Sequence, residues 1–142
     1  MKKVLLTMLT LLVMGQLISQ NADSTAVLQK CIDLEELQAF LPKELNGTMK
    51  PVYLMKRDVV FPPNIDVVKF DLPLVQMKRD QIVNQSVEAF FMFHEFHLTF
   101  SSALVKFTFV HDSPKHPKTI NATLELEKNG EKWVISKSTL TN

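Results

Sequence analysis

Residues 89–110 constrain this chain more than any other stretch. Ala89-Phe90-Phe91-Met92-Phe93-His94-Glu95-Phe96-His97-Leu98-Thr99-Phe100 and Ala103-Leu104-Val105-Lys106-Phe107-Thr108-Phe109-Val110 together hold seven of its ten phenylalanines. Burying one large apolar side chain stabilises a fold by about 1.5–3 kcal/mol, so these seven contribute roughly 10–20 kcal/mol gross, comparable with the net stability of a whole domain. The second segment alternates cleanly, with Ala103, Val105, Phe107 and Phe109 on one face and Leu104, Lys106, Thr108 and Val110 on the other. The first does not. Phe91 and Phe93 share one parity, and Phe96, Leu98 and Phe100 share the other. A β-bulge at His94-Glu95 repairs the phase: it puts all five apolar side chains on one inner face, bends the strand and turns Phe90 and Met92 to the opposite side.

The rest of the C-terminal half continues the pattern. His111 to Lys118, with Pro114 and Pro117, reads as a loop. Ile120, Ala122, Leu124 and Leu126 then alternate with polar residues, as in a strand with one wet face, and Asn129-Gly130 is a two-residue hairpin signal leading into Trp133-Val134-Ile135. Four strands joined by short links make an antiparallel meander.

At the other end, Lys2-Lys3 precede an apolar run from Val4 to Ile18, broken only by Thr7, Thr10, Gly15 and Gln16, with Ser19-Gln20 as a cleavage region. This is the pattern of a secretory signal peptide over residues 1–20. A run of about 15 apolar residues is short for a bilayer span, which needs roughly 20, so cleavage is the expectation and no membrane span remains after it. The Ser-Gln ending resembles the Gln-ending export signals of Bacteroidetes, which implies a secreted or periplasmic protein. Loss of Lys2 and Lys3 takes the formal charge from +1 (16 basic against 15 acidic) to −1 (14 against 15). A near-neutral chain argues against nucleic acid as a partner, because that affinity rests on clustered cations. The single cysteine, Cys31, forms no intramolecular disulfide, so the fold stands on its apolar core, with Cys31 as a buried residue on a helix.

Between these ends the chain reads in two parts. Residues Ser24 to Leu41 carry helical spacing in Leu28, Cys31, Ile32, Leu34, Leu37 and Leu41; Asp33 with Glu36 resembles a capping box, and Pro42 stops the run. That gives one bent helix or two short ones. After the Asn46-Gly47 turn, Pro51-Val52-Tyr53-Leu54-Met55-Lys56-Arg57-Asp58 is echoed by Pro73-Leu74-Val75-Gln76-Met77-Lys78-Arg79-Asp80. The plain reading is two short strands with charged, solvated ends. The sharper reading lays the copies side by side, so that Lys56, Arg57, Lys78 and Arg79 form one cationic patch for a carboxylate or phosphate. A short helix between Lys78 and Gln85 is the alternative for the second copy's end.

Few residues point to chemistry. His94-Glu95-Phe96-His97 lacks the i, i+4 histidine spacing on a helix that a zinc-protease motif requires. On a regular strand the two rings point to opposite faces, and only the bulge brings His94 toward His97, with His111 and His116 in a nearby loop as further metal ligands. No nucleophile elbow is present, the three glycines form no phosphate-cradling loop, and no motif calls for a cofactor. Sequons at Asn46, Asn84 and Asn121 read as chance in a bacterial export context.

A helical segment followed by a meander ending in Leu126-Glu127-Lys128-Asn129-Gly130-Glu131-Lys132-Trp133-Val134-Ile135 is similar to small exported domains of the cystatin-like or NTF2-like kind. The chain as a whole looks like small secreted proteins of Bacteroidetes. The resemblance implies an α+β fold with an N-terminal helix, or two short helices, packed on a curved antiparallel meander. Residues 1–20 are then the signal and 21–142 a single domain. The expected function is non-catalytic binding or interaction, with an unknown protein or small molecule as partner. The alternative is a small-molecule binder, with an anion among its ligands, or an NTF2-like enzyme. Its pocket would lie between helix and sheet, lined by phenylalanines and approached by Lys56, Arg57, Lys78 or Arg79.

Overall fold

The computed structural model describes residues 22–142, so the expected signal segment lies outside the described residues. The fold is mixed α+β. Helix α1 (Ala22–Ile32) and a 3-10 helix (Glu35–Phe40) precede the sheet. Val27, Leu28, Cys31 and Ile32 recur at helical spacing on one face of α1 and are fully buried. The capping box expected at Asp33 and Glu36 does not form, since the 3-10 helix begins after Leu34 without a side-chain cap. Asp33 is drawn into tertiary contacts, accepting Gln29 Nε2 at 2.9 Å and Lys69 Nζ at 2.6 Å.

The strands follow in chain order as β1 (Tyr53–Met55), β2 (Val68–Lys69), β3 (Leu72–Pro73), β4 (Val75–Met77), β5 (Phe90–Leu98), β6 (Ser102–His111), β7 (Lys118–Asn129) and β8 (Lys132–Thr141), with helix α2 (Arg79–Asn84) between β4 and β5. β2 and β3 form a separate hairpin, and the other six make one sheet in the order β4-β1-β5-β6-β7-β8. The last four are the antiparallel meander. Beyond it, β1 and β4 add as parallel strands, an arrangement the meander reading did not contain. Parallel neighbours need a crossover, and residues 56–74 supply it with the β2–β3 hairpin in place of the usual helix. That hairpin turns on Phe70 and Asp71, at φ +56° and +61°, the two positive values of a type I′ turn without glycine at either.

Alternation in β5 breaks where the sequence places it. Phe93 pairs with Phe107 and Glu95 with Lys106, leaving His94 as the extra residue of a bulge. Phe91, Phe93 and Phe96 consequently share the inner face with Phe107 and Phe109, the last two and Phe91 being 1% exposed or less. Phe61, from the crossover, meets Phe93 and Phe96 edge-on, with centroids 5.3 and 5.2 Å away. Phe100 departs from the expectation of an inward side chain and is 91% exposed. β5 ends at Leu98, and Thr99 closes a turn by donating its N–H to Ser102 O (2.8 Å) and accepting Ser102 N–H on Oγ1 (3.0 Å). The turn leaves Phe100 at its tip.

Two further expectations shift in detail. The β7–β8 hairpin pairs Asn129 with Lys132, so its two-residue loop is Gly130-Glu131 and not Asn129-Gly130. Only Gly130 has positive φ there (+65°), the pattern of a type II′ turn. His111 belongs to β6 rather than to the following loop, and it is buried, stacked 5.7 Å from Phe109 and tilted against Phe40 at 4.5 Å. A second bulge, at Ser136, interrupts β7–β8 pairing, and its hydroxyl donates to Glu125 O at 3.1 Å. Finally, Asp23 in the first turn of α1 accepts Trp133 Nε1–H and Lys128 Nζ, both at 2.9 Å, fastening helix to last hairpin.

Candidate functional site

The repeated segments lie side by side. Tyr53 pairs with Val75, Leu54 with Gln76 and Met55 with Met77, so the sequence offset between the copies is the strand register. Parallel pairing sends both copies' basic ends the same way. Lys56 and Arg57 leave the end of β1, and Arg79 opens α2 directly beyond β4. These three cations line one groove, on the face of the sheet opposite α1. Lys78 is exposed but is not among the groove's lining residues. It flanks the start of α2, where its backbone N–H donates to Gln81 Oε1 at 2.8 Å.

The groove has a volume of about 650 Å3, within the roughly 300–1,000 Å3 typical of small-molecule sites. Its floor is apolar, made by Phe90, Met92 and Val110 from the sheet and by Ile82, Val83 and Val87 from α2 and the segment after it. Phe90 and Met92 are there because the alternation that buries Phe91 and Phe93 on the inner side must turn them outward. The groove therefore lies between a helix and the sheet, with a phenylalanine in its lining, but the helix is α2 and the face is the outer one. The space beneath α1 is filled by the aromatic core.

Charge at the groove is only partly neutralised. Neither Lys56 nor Arg79 has an ion-pair partner among the described residues. Arg57 directs Nη1 at Met92 Sδ (3.3 Å), and its Nε stands 3.8 Å from Asp58 Oδ2. Glu88, the acid in the lining, is held by Lys50 at 3.3 Å.

His94, the bulge residue, anchors the rim from the other side. Its Nδ1 lies 3.1 Å from Asp58 Oδ2 and its Nε2 lies 2.8 Å from Thr108 Oγ1, whose hydroxyl donates to Asn121 Oδ1 at 2.8 Å. The chain Asp58–His94–Thr108–Asn121 thus crosses β5, β6 and β7 and ends on the residue after Arg57. Both nitrogens of His94 are engaged in hydrogen bonds. His97 points to solvent with Glu95 Oε2 at 3.7 Å, and no group of three or more metal-ligating side chains occurs among the described residues. The Asp–His–hydroxyl order resembles a nucleophile's activating chain, yet Thr108 sits mid-strand, 7% exposed, with its hydroxyl already shared between two partners.

Asp112 and Lys118 are not among the groove's lining residues but flank two of them, Pro114 and Pro117. Lys118, and after it His111, hold the Asp112 carboxyl below its usual range, and Asp112 raises Lys118 in return. A shallower hollow of about 450 Å3 includes Phe40 and Asp112. Burial pushes the Cys31 thiol far above its usual value and makes it inert.

Phe90 and Met92 carried a sequence signal for the site in their parity. Ile82 and Val83 had one only through the short-helix alternative, and Val110, Pro114 and Pro117 had none.

No protein-family model matches the chain, and no curated protein is significantly similar to it. Among solved structures, a solution structure of a de novo designed β-sheet protein is 19% identical over 45% of this chain and 71% of that one, with a TM-score of 0.31. So slight a likeness carries no argument about fold or function.

Proposed function

We propose that this chain is an exported, non-catalytic binding domain whose ligand is an anionic small molecule held in the outer-face groove. One observation carries the reading: in-register pairing of the repeated segments delivers Lys56, Arg57 and Arg79 to an apolar hollow of ligand size, where Arg57 alone of the three has an ion-pair partner, Asp58, among the described residues. These three cations are exposed, and an anion at the rim gains charge-assisted hydrogen bonds from them. Export is supported by the charged and apolar pattern of residues 2–18. The order of a helical segment followed by a mostly antiparallel sheet supports kinship with the cystatin-like or NTF2-like domains. Non-catalytic binding fits a groove whose lining includes neither a nucleophile–base pair nor a metal-ligand cluster among the described residues.

The test is amide NMR of the purified protein titrated with simple carboxylates and phosphate. Shift changes centred on Lys56, Arg57, Arg79 and Phe90 are expected. Changes confined to the free edge of β8, or none at all, overturn the groove as the site.

A further inference from the structure

Resting on that reading of the groove, we infer that its ligand is a single-chain amphipathic anion, such as a medium- or long-chain carboxylate. The argument is the polarity of the groove along β5. At one end Met92 touches Arg57, and Lys56 and Arg79 complete a cationic rim. Two residues back along the same strand and face, Phe90 sits opposite Val110, where the lining continues into Val87, Pro114 and Pro117 and its one charged residue, Glu88, is paired with Lys50. Head and tail ends are thus distinct.

A compact anion such as phosphate satisfies the rim but leaves the apolar end wet. A neutral chain covers the apolar end and leaves Lys56 and Arg79 without counter-charge. Only a molecule with an anionic head and an apolar tail complements both ends at once. Bidentate pairing with Arg57 or Arg79 favours a planar carboxylate head. Val83, 65% exposed on the wall of α2, is apolar surface that such a tail removes from water.

The experiment is calorimetric titration of the protein with dodecanoate below its micelle concentration, beside acetate, inorganic phosphate and dodecanol. Dodecanoate is expected to bind at least about tenfold more tightly than each of the other three. Arg57→Gln with Arg79→Gln should weaken dodecanoate by roughly tenfold or more and leave dodecanol unchanged. Val83→Gln, a neutral change at an exposed helical position, should weaken dodecanoate more than acetate. If phosphate or acetate matches dodecanoate, the amphipathic inference falls while the anion site stands. If dodecanol matches it, the rim is idle and both fall. Absence of binding by all four also overturns both.

Discussion

Deleting His94 should be tolerated where deleting its neighbour across the sheet is not. The pairs Phe93–Phe107, Glu95–Lys106 and Phe96–Val105 become an unbroken antiparallel register once His94 is removed, with every inner-face side chain left inside. What is lost is the pair of hydrogen bonds to Asp58 and Thr108, at about 0.5–1.5 kcal/mol each, so the cost is roughly 1–3 kcal/mol. Deleting Thr108 from the regularly paired β6 has the opposite geometry. It sets Phe107 beside Phe109, each 1% exposed or less, and forces one of them with its same-face neighbours out of the core. Expelling a buried phenylalanine alone costs about 3–5 kcal/mol, a large share of the roughly 5–15 kcal/mol that holds a domain. Urea denaturation followed by tryptophan fluorescence, with Trp133 as reporter, compares the two deletions directly. Equal destabilisation of both would refute the account of the bulge as the one dispensable residue of the strand.

Three other outcomes follow from the same structure. Asp23 titrates below its usual value because of Lys128 and then Trp133, so its contribution is present above the unfolded-state pKa and is lost as pH falls through the lower folded-state value; Asp23→Asn should flatten the acid limb of stability below about pH 4, seen by denaturation across pH 2–6. Replacing Phe70-Asp71 by Asn-Gly should raise stability by about 1 kcal/mol, since each L-residue in the left-handed region costs roughly 1–2 kcal/mol and the Lys69–Phe70 ring contact returns only part of that; a lower melting temperature would mean that the Phe70 side chain matters more than its backbone. The Cys31 thiol, 0% exposed, should react with a thiol reagent only through unfolding; labelling in the native state faster than unfolding measured in urea would contradict its placement.

Parity was the most informative quantity in the sequence. It located the bulge at His94 and turned Phe90 and Met92 outward, because side-chain alternation is a local rule that one strand states by itself. Where two segments had to meet, the sequence spoke only through repetition: the echoed Pro51–Asp58 and Pro73–Asp80 foreshadowed β1 against β4 but not that they run parallel or where β5 joins them. Lys78 shows the limit of that signal. Its place in the repeat matches Lys56, but the chain turns into α2 at Arg79, so equivalent residues acquire different surroundings. Phe100 and His111 were misplaced for a related reason. A strand end is set by the turn that Thr99 and Ser102 close, and His111 is enclosed only when Phe40, distant in the chain, packs on it beside its own strand neighbour Phe109. The cationic rim was legible as composition, whereas the groove needed α2 laid over the outer face, which no local pattern states.

The clasp between Asp23 and the β7–β8 hairpin has a temporal meaning. Helix α1 is 11 residues long, shorter than the roughly 12–15 residues an isolated helix needs to persist in water. Its anchor Trp133 lies 110 residues further along the chain, so α1 is made well before the hairpin that clasps it, and a truncation that removes β8 should loosen α1 as a break within the helix would.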